Sequence, residues 1–170
     1  MPFARPVFTS KNKLSMPIKM TTPMSSVVNA TREAIKESFN EIIDVLFYVG
    51  EEAVNEARLA HTYKDQTGNL TASIGYVVFA DGQPVRVGDF NTVMAPKGDG
   101  GQGKETGEGF ARSLASEFPT GIALVVVAGM KYASFVADKG YNVIQSAELV
   151  SEKLAADMLS KLGIGKGGRK

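Results

Sequence analysis

The stretch YKDQTGNLTASIGYVV (residues 63–78) stands where one hydrophobic period gives way to another. Upstream of it, Ile35, Phe39, Ile42, Ile43, Leu46, Val49, Ala53, Ala57 and Ala60 recur at spacings of three and four, the stripe of an amphipathic helix. Within it, Asp65, Gly68 and Asn69 are turn formers. After them, Leu70, Ala72, Ile74, Tyr76 and Val78 alternate as one face of a strand does. The stretch therefore predicts a long helix handed over to a strand through a polar turn that holds no catalytic residue type.

Working outward, the helix is expected to start near Ser25 to Thr31, whose hydroxyls can cap free N–H groups, and to end near His61. Some 30 residues would make it roughly 45 Å long. Gly50 marks a bend or a close contact. Asp81-Gly82 and Pro84 give a turn, so residues 71–90 read as an antiparallel hairpin with VRVGD (85–89) returning. KGDGGQGKETGEG (97–109) is polar and glycine-rich, so 95–110 is expected to be an exposed, flexible loop. Phe110, Leu114 and Phe118 predict a short helix over 108–118, ended by Pro119 and Gly121. IALVVVAGM (122–130) is an unbroken apolar run suited to a central strand. Ile144, Ala147, Val150, Leu154, Met158 and Leu162 predict a last amphipathic helix over 144–162. The expected fold class is α+β: an antiparallel sheet packed against a long N-terminal helix and a C-terminal helix, preceded by an extended N-terminal arm. The expected organisation is an arm over 1–24, one α+β domain over 25–162 and a basic tail over 163–170.

With 170 residues, 44% of them hydrophobic, one compact domain with a real core is the default. Zero cysteines exclude disulfides and thiolate metal sites. No run approaches the roughly 18–20 apolar residues of a membrane span, and the N-terminus lacks the continuous apolar core of a signal peptide. The net charge of +1 hides an uneven distribution: of 19 bases, five lie in 1–32 and four in 161–170, leaving ten against 18 acids between, a net of −8. Basic ends on an acidic body suit arms that dock on acidic neighbours or on nucleic acid. The C-terminal GIGKGGRK reads equally as a solvated tail. The N-terminal arm instead interleaves Phe3, Val7, Phe8, Leu14, Met16, Ile18 and Met20 with Pro2, Pro6, Pro17 and Pro23. The prolines oppose a helix, and the spaced apolar side chains want a surface. Phe3, Val7, Phe8, Leu14 and Ile18 are the candidate interface residues of this arm.

Chemistry finds little purchase. Gly98, Gly103 and Lys104 match phosphate-loop spacing, but Glu105 stands where a Ser or Thr should ligate magnesium, and an anion there repels phosphate. His61, the single imidazole, has no nucleophile-elbow partner and reads as a capping or surface residue at the helix end. The helix carboxylates, mixed with Lys36 and Arg58, read as a solvated face. The five tyrosines have no basic cluster around them and read as core and interface residues. No catalytic residue, metal or cofactor is expected.

Two stretches resemble a known family. YKDQTGNLTASIGYVV resembles the Tyr-x-x-x-Thr-Gly-Asn-Leu-x-x-Ser-Ile segment that follows the first helix in small tail components of tailed bacteriophages. IALVVVAGMKYASFVADKGYNVI resembles their second hallmark, a hydrophobic strand followed by Ala-Gly-x-x-Tyr-Ala-x-Phe/Tyr-Val-(Glu)-x-Gly. This is the gp-ten-like tail-completion, or neck, family of long-tailed phages and prophages. Thr67, Gly68, Asn69, Leu70, Ser73 and Ile74 match the first element. Ala128, Gly129, Tyr132, Ala133, Phe135, Val136 and Gly140 match the second. Ala137 and Asp138 stand where the family often places its acid. The resemblance covers roughly residues 27–162; the arm and the loop 95–110 look like additions.

The resemblance implies a structural virion protein, not an enzyme. It would be a tail-completion or neck component at the head–tail junction, assembled in the bacterial host cytoplasm. Its implied partners are further copies of itself in a ring (hexamer or dodecamer) and neighbouring neck, tail-tube or connector proteins. DNA would pass through the lumen without specific binding, and no membrane is involved. A tail-terminator ring is the nearest rival. A nucleic-acid-binding module using the basic termini as phosphate clamps is the rival from another class.

Overall fold

A computed structural model of the chain describes residues 22–164. The candidate arm residues Phe3, Val7, Phe8, Leu14 and Ile18 lie outside the described residues, as does the tail beyond Ile164. The elements are α1 (Met24–Leu59), α2 (Asn69–Ala72), β1 (Ile74–Ala80), β2 (Gln83–Gly88), α3 (Gly101–Ser113) with a 3-10 turn (Leu114–Glu117), β3 (Ile122–Ala128), α4 (Ala133–Asp138) and α5 (Gln145–Lys161). The fold is α+β: a long N-terminal helix, a three-stranded antiparallel sheet and a C-terminal helix. Contacts divide the chain into two units, Met1–Ile35 and Lys36–Lys170.

In the first unit the described residues are helical from Met24, and every side chain from Thr22 to Ile35 is exposed. The helix starts directly after Pro23, whose carbonyl accepts from the Ser26 amide and hydroxyl. Proline at a helix start loses nothing, because its missing N–H would have been unpaired there.

In the second unit the sheet order is β2-β1-β3. β1 is the central strand and is buried along its whole length. Its alternate faces build two cores. Ile74, Tyr76 and Val78 pack with Leu46, Ala53, Val54 and Ala57 of α1 and with Ala147 of α5. Val77 and Phe79 pack on the other face with Phe90, Ala111 of α3 and Val127 of β3. Two residues, Asp81 and Gly82, link β1 to β2 with φ of 48° and 77°. Positive φ at both positions is the mirror-image turn whose twist matches that of a hairpin.

The sequence expectations need correction in four places. IALVVVAGM forms an edge strand and not the central one, because an unbroken apolar run is equally what β1 (IGYVVFA) shows, and β1 lies between its neighbours. Residues 69–72 form a helical turn, so the strand begins at Ile74 and not at 71; the Asp65 carboxylate holds that turn by accepting from the Thr71 amide at 2.7 Å. The expected flexible loop 95–110 is helical from Gly101, and the short helix expected over 108–118 is the end of this longer one plus the 3-10 turn. Arg58 and Glu51 are not on a solvated face: each is tied to the sheet, as described next.

Candidate functional site

The two sequence motifs meet in one packed corner. Gly68 starts α2 with φ 76°, a left-handed conformation that glycine adopts without cost. Any side chain there would also overlap the Val93 carbonyl. The Thr67 carbonyl accepts from the Gly100 amide at 3.1 Å, and Asn69 Oδ1 accepts from the Gly103 amide at 3.2 Å. Leu70 is buried with Tyr63, Ala133 and Val143. The Ser73 hydroxyl donates to the Leu70 carbonyl at 2.8 Å, while the Ser73 carbonyl accepts from the Gly129 amide at 3.1 Å. That last bond joins the first motif to the second. Ile74, Ala133 and Val136 complete the corner. Tyr132 and Phe135 stay outside it, 41% and 62% exposed, with the Lys139 ammonium 5.2 Å from the Phe135 ring centre. Gly140 (φ 84°) ends α4 in open surroundings.

The sequence argument missed the third partner of this corner. Gly100, Gly103, Gly107 and Ala111 are all buried and form one small-residue face of α3. A methyl group on Gly107 would lie 2.5 Å from the Ser73 carbonyl oxygen, and one on Gly103 would overlap the Asn69 carbonyl. One on Gly129 would overlap the Gly107 backbone. The helix therefore rests backbone on backbone against both motifs. The signal was present as small residues spaced three and four apart, but glycine abundance is usually the mark of a loop.

The same geometry removes the phosphate-loop alternative. The amides of Gly100, Gly101 and Gly103, which an anion would need, are engaged by the Thr67 carbonyl, Asp99 Oδ1 and Asn69 Oδ1. His61 Nδ1 donates to the Arg58 carbonyl at the end of α1, and its ring tilts against Tyr63. Arg58 clamps the helix end to the sheet: it pairs with Asp89 Oδ2 at 3.0 Å and donates to the Ile74 carbonyl at 2.8 Å and to the Asp89 carbonyl. Among the described residues, no group of three or more His, Asp or Glu side chains is placed to hold a metal ion. Among them, too, no helix is long and apolar enough to cross a membrane.

Tyr76 sits fully buried between Gly50 and Gly88, and its hydroxyl donates to Glu51. Gly50 thus marks a close contact. Burial, and then the Glu51 carboxylate, push the Tyr76 phenol far above its ordinary value. Burial also raises Tyr63 and Tyr132. A phenol whose pKa is raised by folding stabilises the native state below its unfolded value of 10.0 and loses that contribution as pH rises beyond it. Stability is therefore expected to fall above about pH 10. Tyr76→Phe should be less stable at neutral pH by about 1 kcal/mol, through loss of the hydrogen bond, and should show a shallower alkaline decline. Urea midpoints at pH 7, 9 and 10.5 check this; parallel pH curves for the two proteins would refute the assignment.

Comparison with protein-family models, with curated proteins and with solved structures finds no match to this chain.

Proposed function

We propose that this chain is a structural component of a tailed bacteriophage particle, a tail-completion or neck protein at the head–tail junction that works by forming a ring through subunit–subunit contacts. It would be assembled in the host cytoplasm and would contact neighbouring neck, tail-tube or connector proteins. The observation that carries this reading is an apolar stripe on α1. Met24, Val27, Val28 and Ile35 recur at helical spacing and are 61%, 43%, 46% and 65% exposed. Val27, Val28 and Ile35, with Thr31 and Arg32, line a shallow hollow of about 350 Å³. A helix that shows an apolar stripe to water gains by burying it on another chain. The motif corner supports the same reading, since its interlocked backbones hold α2, α3 and the sheet against one another.

A phage lacking this gene is expected to accumulate DNA-filled heads and separate tails, rejoined when the protein is supplied. Normal infectious particles in its absence would contradict the proposal.

A further inference from the structure

Among the described residues the sheet has two free edges, and they are treated differently. β2 carries Pro84 and Arg86, residues that blunt an edge against pairing. β3 (IALVVVA) carries no proline and no charge, and six of its seven residues are half-exposed. Its register gives the direction of each backbone group. The Gly129 amide donates to the Ser73 carbonyl at one end, and the Asp81 amide to the Gly121 carbonyl at the other, at 3.1 and 2.9 Å. Antiparallel ladders alternate, so the odd-numbered residues of β3 face β1. The N–H and C=O groups of Ile122, Leu124, Val126 and Ala128 therefore point outward. Beside them runs an apolar hollow of about 340 Å³, walled by Phe110 and Leu114 on one side and by Ala133, Ala137 and Val143 on the other. Leu124 and Val126 also border a second hollow that includes Glu148. An unblunted apolar edge with side-chain pockets along it has the form of a strand-addition site.

The chain's own sequence offers a candidate for the added strand. Residues 7–16, VFTSKNKLSM, are the longest proline-free window of the 21 residues that precede the described region. Alternation puts Phe8, Leu14 and Met16 on one face, and Lys11 and Lys13 on the other, with no acid in the window. Ten residues exceed the seven of β3, and a phenylalanine ring suits the hollow. The two lysines complement Glu148 and the net −8 of residues 33–160.

We infer that the outer edge of β3 accepts residues 7–16 of a neighbouring copy as a fourth strand, with Phe8 anchored in the hollow beside Phe110. This rests on the ring reading above and adds a second contact to that of the α1 stripe. A strand given head-to-tail from each subunit to the next is a heterologous interface, which closes into a ring when the rotation allows.

The chain has no native cysteine, so introduced ones report without background. Full-length Ser10→Cys and Ser134→Cys proteins are mixed, assembled and treated with a short bismaleimide; Ser134 lines the hollow. The expected product is a 10–134 link between two chains. It should disappear with Val126→Pro, which deletes one outward N–H and leaves the β1 ladder intact. Phe8→Ser should weaken association at least about tenfold. Full-strength rings without the 10–134 link, and unaffected by Val126→Pro, would overturn the inference while sparing the ring. A 134–134 link alone would assign the edge to pairing between two β3 strands and overturn it. A 10–134 link formed only within one chain, in the Ser10→Cys/Ser134→Cys double variant, would overturn donation between copies. A protein that stays monomeric throughout would overturn both this inference and the ring.

Discussion

Gly103→Ala is expected to destabilise the protein by roughly 3 kcal/mol, a large share of the total for a domain of this size. The added methyl would overlap the Asn69 carbonyl, a rigid backbone group that cannot rotate aside as a side chain would. To relieve the overlap, α3 would have to lift from α2. That would stretch the bond from the Gly103 amide to Asn69 Oδ1 and part Gly107 from Ser73. Gly109 lies six residues further along the same helix, off the buried face, and meets nothing within 4 Å. Gly109→Ala is therefore the internal control and should stabilise by about 0.5–1 kcal/mol, because alanine is the better helix former. Urea unfolding of both variants measures the contrast. If the two substitutions shift the midpoint alike, α3 does not rest backbone on backbone against the motif corner.

The second large effect concerns assembly. The double variant Val27→Asp/Ile35→Asp places two charges on the apolar stripe of α1. Both positions are exposed in the single chain, 43% and 65%, so the folded domain should keep its unfolding midpoint. Each apolar side chain of this kind contributes about 1.5–3 kcal/mol when an interface buries it, and a charge left in its place costs more. Subunit association should accordingly weaken by about a hundredfold or more. Sedimentation velocity across a concentration series reads this directly. An unchanged distribution would move the interface elsewhere on the chain.

Much of this architecture was legible in the sequence because its signals are physical ones of long range. The stripe from Ile43 to Ala57 repeats over enough turns to fix α1, and Ile43, Leu46, Val49, Ala53 and Ala57 are buried, joined by Gly50 and Val54, which the stripe did not include. Asp81-Gly82 fixes the hairpin, since few other residue pairs accept positive φ twice. The turn at Gly68-Asn69 was found, and so was the pairing of the two motifs with helix and strand, although nothing in the pattern told which strand was central. Apolar content measures the wish to be buried, and β1 and β3 share it; only their order in the sheet separates them. The α3 face was missed for the opposite reason. Its burial is achieved by having no side chains, so hydrophobicity carries no trace of Gly100, Gly103 and Gly107. Arg58 was missed because a charge on a helix that also carries Glu51, Glu52 and Glu56 reads as solvent-facing until Asp89 is folded back over it. The arm residues Phe3, Val7, Phe8, Leu14 and Ile18 rest on sequence pattern alone, and the crosslinking experiment addresses the stretch 7–16 that holds Val7, Phe8 and Leu14.

The measurement that bears most directly on a role in particle assembly is the native mass of the purified full-length protein. The account predicts one discrete assembly, a fixed whole-number multiple of the 18.1 kDa chain with cyclic symmetry by electron microscopy. A single chain at every protein concentration and salt tested, with no partner-dependent ring, would contradict it.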